Sequence, residues 1–162
     1  VLNLGLNDQT VEGLAAQTSN PRVAWDAYRR FVQMFGRIVL DVSGEKLDHV
    51  FDEAKRSAGV RQDTALSAEQ LRAVTHELKA LVERETGNPF PTDVLQQLEL
   101  AIKAVFSSWM GKRAVDYRNQ FKIPHDLGTA VNAVAMVFGN MGDDSSPGVA
   151  FTRNPSTGAK EI

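Results

Sequence analysis

Between Asn20 and Val39 the chain repeats apolar side chains at helical spacing: Val23, Ala24, Ala27, Tyr28, Phe31, Val32, Met34, Phe35, Ile38 and Val39. The stripe is broader than the single face that a surface helix buries. A helix of this kind has to be covered on several sides, so the rest of the chain must supply its partners. Asn20 as N-cap and Pro21 in the first turn set its start. Candidate partners carry narrower stripes: Val11, Leu14 and Ala15 in residues 8–17; Leu47, Val50, Phe51 and Ala54 in residues 45–57; Leu71, Val74, Leu78, Leu81 and Val82 in residues 67–85. Ser67 with Gln70 three residues later matches a capping box. After the break at residues 87–91, Thr92 is the expected cap of a further helix through Leu95, Leu98, Ile102, Val105 and Phe106. Residues 8–110 therefore read as one helical subdomain.

The flanks read differently. Residues 1–7 begin with alternating apolar and small or polar side chains, the pattern of a half-buried strand. Beyond Met110, a short basic helix over residues 112–121 precedes Thr129, Ala130, Val131, Asn132, Ala133, Val134, Ala135, Met136, Val137 and Phe138, which predict a buried strand. A glycine-containing loop over residues 139–148, a second strand over 149–153 and a hairpin turn over 154–158 follow. The expectation is an α+β fold, a predominantly helical subdomain followed by a short β-containing segment over residues 111–162. The abrupt start at Val1 and the half-made hairpin arm at Ile162 predict a piece of something larger, incomplete at both ends.

Composition narrows the function classes. A formal net charge of −2 gives no field for nucleic acid or anionic lipid. The absence of cysteine excludes disulfides and thiolate metal sites and fits a cytoplasmic location. No apolar run approaches the roughly 20 residues of a membrane helix. His49, His76 and His125 are too scattered to predict a zinc site, and no metal ligands are assigned. Two features are left for a ligand. The loop over residues 139–148 can form an anion-binding nest, or serve only as a hairpin loop; its Asp143 and Asp144 repel a polyphosphate unless a cation lies between. Lys112, Arg113, Arg118 and Lys122 form a basic cluster on one short helix, either a phosphate contact or a solvated face.

Several stretches, in order along the whole chain, resemble the pyruvate, phosphate dikinase family: Val1 to Asp8; Ser107, Ser108 and Trp109 with the following Arg113, Ala114, Val115, Asp116, Tyr117 and Arg118; Gly128 to Asn132; and Met136 to Ser145, continuing as Gly148 to Gly158. The related phosphoenolpyruvate synthases fit the first stretch and the Gly139 to Gly142 loop less well. The resemblance implies an ATP-grasp nucleotide-binding domain, with residues 1–7 and 111–162 as parts of its sheet. In that family the β-phosphoryl group of ATP passes to a histidine on a carrier domain of the same chain. It goes from there to pyruvate, with phosphate as second acceptor, Mg²⁺ as cofactor and a homodimer as parent.

By the same resemblance, Met136 and Val137 would lie at the adenine side. Asp143, Asp144, Ser145, Ser146 and Gly148 would form the lid over the phosphates, and Arg113 would face the docked carrier. No catalytic residue is expected within the chain, because the family's glycine-rich lysine segment and nucleotide-binding arginine precede the matched stretch and its metal-binding acidic pair follows it. Ser146 and Pro147 stand where the family has Gly-Thr, Ala133 and Val134 where it has Val-Gln, and Ala159 where Glu is common. Pro147 removes a backbone donor from the lid. A helical interaction module of the same ancestry, without the chemistry, is the alternative reading.

Overall fold

The computed structural model describes residues 1–141 and 144–160. Six α-helices and one short 3₁₀ turn make up its regular structure: α1 (Thr10–Thr18), α2 (Pro21–Ile38), α3 (Gly44–Ser57), the 3₁₀ turn (Asp63–Ala65), α4 (Ala68–Thr86), α5 (Val94–Ser108) and α6 (Lys112–Phe121). The broad stripe does what its width demands. Helix α2 is the hub, packed against α1, α3 and α4, while α3 also packs on α4.

Tyr28, Phe31, Val32 and Phe35 of α2 are fully buried, as are Leu47 of α3 and Leu71, Leu78 and Val82 of α4. Burial of each large side chain contributes about 1.5–3 kcal/mol. Phe31, Phe35 and Phe90 form an aromatic cluster with centroids 5.3–5.7 Å apart in tilted and edge-on arrangements. At Gly36 the backbone of α2 comes close to its neighbours: a Cβ there would lie 3.2 Å from Val82 Cγ2 and 3.5 Å from Leu47 Cδ1.

Helix ends follow their chemistry. Asn20 accepts from Val23 N, and Ser67 and Gln70 make both bonds of the capping box. Gly87, at φ +72°, ends α4 in the left-handed region. Helix α5 begins one residue later than expected, because Asp93 rather than Thr92 accepts from Gln96 N.

The β part of the expectation is overturned: among the described residues there is no strand or sheet. In residues 1–7, Asn3 (φ +60°) and Gly5 (φ +98°) take left-handed backbone angles that no regular strand contains. The buried Gln97 of α5 holds this segment, accepting from Gly5 N at 2.9 Å and donating to Leu6 O at 3.0 Å and Pro91 O at 2.9 Å. The alternation of Leu4 and Leu6 reports packing on the helical core, not a pleat.

Residues 129–138 and 149–151 carry no regular secondary structure and no ladder pairing, and residues 152–153 form a bend. β-branched side chains favour a strand through packing on neighbouring strands, and here Val134, Val137 and Val149 are exposed instead. The turn at 154–158 does form. Asn154 Oδ1 accepts from Ser156 N and Thr157 N, and Asn154 N donates to Ala159 O at 2.8 Å.

Candidate functional site: two grooves beside the bundle

Helix α5 presents Leu98, Ile102 and Val105 toward residues 131–137, and with the N-terminal segment they enclose a cleft of about 640 Å³. Two of the expected site residues, Met136 and Val137, line it. Met136 Sδ accepts from Asn3 N at 3.3 Å, which ties residues 131–137 to the start of the chain. Val137 is 89% exposed, so it forms the rim and not the floor. The walls are mainly aliphatic, suited to a flat apolar group and not to a charged one.

The described members of the expected lid, Asp144, Ser145, Ser146 and Gly148, do not line this cleft. Ser145 is half-buried and its hydroxyl is 3.5 Å from Asp144 Oδ1; Ser146 Oγ donates to Pro147 O at 3.3 Å; Gly148 is exposed. Asp143 lies outside the described residues. Pro147 folds back over Gly139, where a Cβ would come within 2.7 Å of Pro147 N, so only glycine fits there. The two flanks of the loop are thereby held against each other.

Arg113 occupies a second groove, of about 680 Å³, between α6 and the end of α5, with Trp109, Lys112, Tyr117 and Arg118. The two grooves share no lining residue. The structure thus separates Arg113 from Met136 and Val137. Lys112 is bound to Asp116 at 2.6 Å, a solvated i,i+4 pair. Arg118 is the buried member of the basic cluster, stacked on Trp109.

Sequence reasoning missed the buried polar groups of the bundle. On α2, Arg29 places Nε and Nη2 on Asp26 Oδ1 at 3.1 and 2.6 Å, gives Nη1 to Gln33 Oε1 at 2.9 Å, and stacks its guanidinium 4.0 Å from the Phe51 centroid. Arg30 adds a bond to Asp26 Oδ2 at 2.9 Å. The Asp26–Arg29 spacing of i,i+3 on the apolar face was the available signal.

Asp8 accepts from Tyr28 Oη at 3.1 Å and from Lys79 Nζ at 2.9 and 2.8 Å. Burial pushes its carboxyl up, but the Lys79 hydrogen bonds and charge, helped by Tyr28, outweigh this and hold it below its ordinary 3.8. Burial and then the Asp8 charge push the Tyr28 phenol well above its ordinary value, so it stays a donor. These groups brace α1, α2 and α4. Among the described residues no group of three or more His, Asp or Glu converges as a metal site, and no helix is long and apolar enough to cross a membrane.

The family model of the pyruvate phosphate dikinase AMP/ATP-binding domain matches residues 1–162. Pyruvate, phosphate dikinase of Rhizobium meliloti is 52% identical over all of this chain, which covers 18% of that protein. The enzyme of Entamoeba histolytica is 52% identical over 98% of the chain and 18% of its own length. The enzyme of Clostridium symbiosum is 50% identical over all of the chain and 19% of its own length. The chain thus spans under a fifth of these relatives. With a match from the first residue to the last, the chain belongs to the pyruvate phosphate dikinase AMP/ATP-binding domain family.

Proposed function

We propose that this chain is part of the nucleotide-binding domain of a pyruvate, phosphate dikinase, and that the cleft between α5 and residues 131–137 receives the adenine of ATP. The observation that carries the reading is the family match over residues 1–162, with about 50% identity to enzymes of that name. The parent reaction takes the β-phosphoryl group of ATP to a carrier histidine and then to pyruvate, with phosphate as second acceptor.

The role of these residues is to bind and exclude water. Leu98, Ile102 and Val105 offer the base an apolar wall. Asn3 positions Met136 from behind through its backbone N–H. Along the sequence, the lid that the resemblance sets at residues 143–148 follows Met136 and Val137 of the cleft and precedes the turn at 154–158, and Arg113 is the docking contact for the carrier. Phosphoryl transfer asks mainly for positioning and charge neutralisation. The described residues hold no carboxylate cluster that fits Mg²⁺.

Titration of the chain with ATP, followed by backbone and methyl NMR, tests the reading. The expected result is fast-exchange shifts confined to Leu98, Ile102, Val105 and residues 131–137 at about millimolar ATP, equivalent to about 4 kcal/mol of binding. Shifts that avoid this cleft would overturn the assignment. Micromolar affinity by calorimetry would contradict the view that most phosphate-binding groups lie outside residues 1–162.

A further inference from the structure

Arg118 holds a charge that no group among the described residues answers. It lies on α6, is 2% exposed, and has its guanidinium carbon 3.9 Å from the Trp109 ring centroid. Its Nε donates to His125 Nδ1 at 3.0 Å, which requires that nitrogen to be an acceptor. The imidazole proton then sits on Nε2, 3.0 Å from Asn119 Oδ1. His125 O in turn accepts from Trp109 Nε1 at 2.8 Å, so indole, imidazole and guanidinium form one braced unit. An imidazole supplies no negative charge to answer the guanidinium.

Both Nη atoms of Arg118 are buried and without an acceptor among the described residues. A guanidinium stays charged at any physiological pH, and a buried charge lacking its hydrogen bonds is strongly disfavoured. Arg29, at 4% exposed, shows the satisfied alternative, since its Nη atoms are spent on Asp26 and Gln33.

The groove that Arg118 lines also holds the start of α6. Gly111 is the N-cap and no side chain caps it, so the helix offers unpaired first-turn N–H groups and the positive end of its dipole. Exposed Arg113 stands at the same groove. We propose that this groove is an oxyanion site in which Nη1 and Nη2 of Arg118 take two oxygens of a carboxylate or phosphate group, with Trp109 as the stacking wall and Arg113 at the mouth. A fork of two parallel N–H groups matches both anions. The site is independent of the adenine reading, because the two grooves have no residue in common.

The test is ¹⁵N NMR of the chain, reading the Trp109 indole and the Arg118 side chain during titration with sodium phosphate, sodium acetate, or sodium chloride at matched ionic strength. At least one oxyanion is expected to give a saturable shift that chloride does not. Saturation by phosphate alone or acetate alone supports the site and names the group it reads; saturation by both supports recognition of the shared two-oxygen edge. Shifts that do not saturate, or that chloride reproduces, overturn the proposal. Arg118→Lys keeps the charge but loses the fork, and should weaken binding by about tenfold or more. Exposed Arg113→Ala should weaken it several-fold with an unchanged folded spectrum. Unchanged affinity in both variants overturns the proposal, and if Arg118→Lys loses the folded spectrum, unchanged affinity in Arg113→Ala does so alone.

Discussion

The bundle of α1 to α4 and the stretch from Lys122 to Lys160 are both rich in apolar residues, yet they differ in what those residues touch. In the bundle the apolar side chains of α2 are enclosed by three other helices. In residues 129–151, Val134, Val137, Val149 and Phe151 are largely exposed. Backbone pairing divides the regions in the same way. Each helix satisfies its own N–H and C=O groups and needs neighbours only for its apolar face, whereas an extended segment depends on a partner even for its hydrogen bonds.

That contrast predicts a steep gradient of mutational cost. Phe31→Ala removes the centre of the aromatic cluster and should cost about 3–5 kcal/mol in chemical denaturation; a loss below about 1 kcal/mol would show that the bundle is not the stabilising region. Gln97→Ala leaves Gly5 N, Leu6 O and Pro91 O without their side-chain partner, and should cost about 1–3 kcal/mol with faster amide exchange across residues 3–7. Unchanged exchange there would show that the N-terminal segment is held by something other than α5.

Smaller effects refine the same comparison. Ser67→Ala breaks the capping box of α4 and should cost about 1 kcal/mol. For Asp8 the sign follows from a folded pKa below the ordinary 3.8: its contribution is present above that pH and is lost as pH falls through the lowered folded value. The carboxylate is half solvated, so after screening the effect is about 0.5 kcal/mol. Asp8→Asn should flatten the acid limb of the stability curve by that amount, and an unaltered acid limb would remove Asp8 from the account. Val137→Ala should fall within about 0.5 kcal/mol of zero. A loss as large as that of Phe31→Ala would abolish the distinction between the regions.

The fold was legible in the sequence wherever structure is local. Asn20, the Ser67 and Gln70 pair and Gly87 mark helix ends through bonds made within a few residues, and the α2 stripe announces its own burial. The cap of α5 was misplaced by one residue, since Thr92 and Asp93 are both competent caps, and α1 starts at Thr10, two residues later than the expected residue 8. The candidate site was legible in part. The motifs around Trp109, Arg113 and Met136 pointed to the family, but not to two separate grooves, nor to a loop after Gly139 whose described serines face their own neighbours.

Helix positions, capping and family membership are written in residues that act on near neighbours or match as a string, and these the sequence by itself determined. The pairing state of residues 129–138, the bracing of residues 1–7 by Gln97, and the contrast between Arg29 and Arg118 were decided only by the tertiary structure. The physical reason is common to all three: a ladder, a buried amide and a buried guanidinium are each satisfied by acceptors and donors distant in the chain or on another turn of helix, and residue type alone does not say whether those partners arrive.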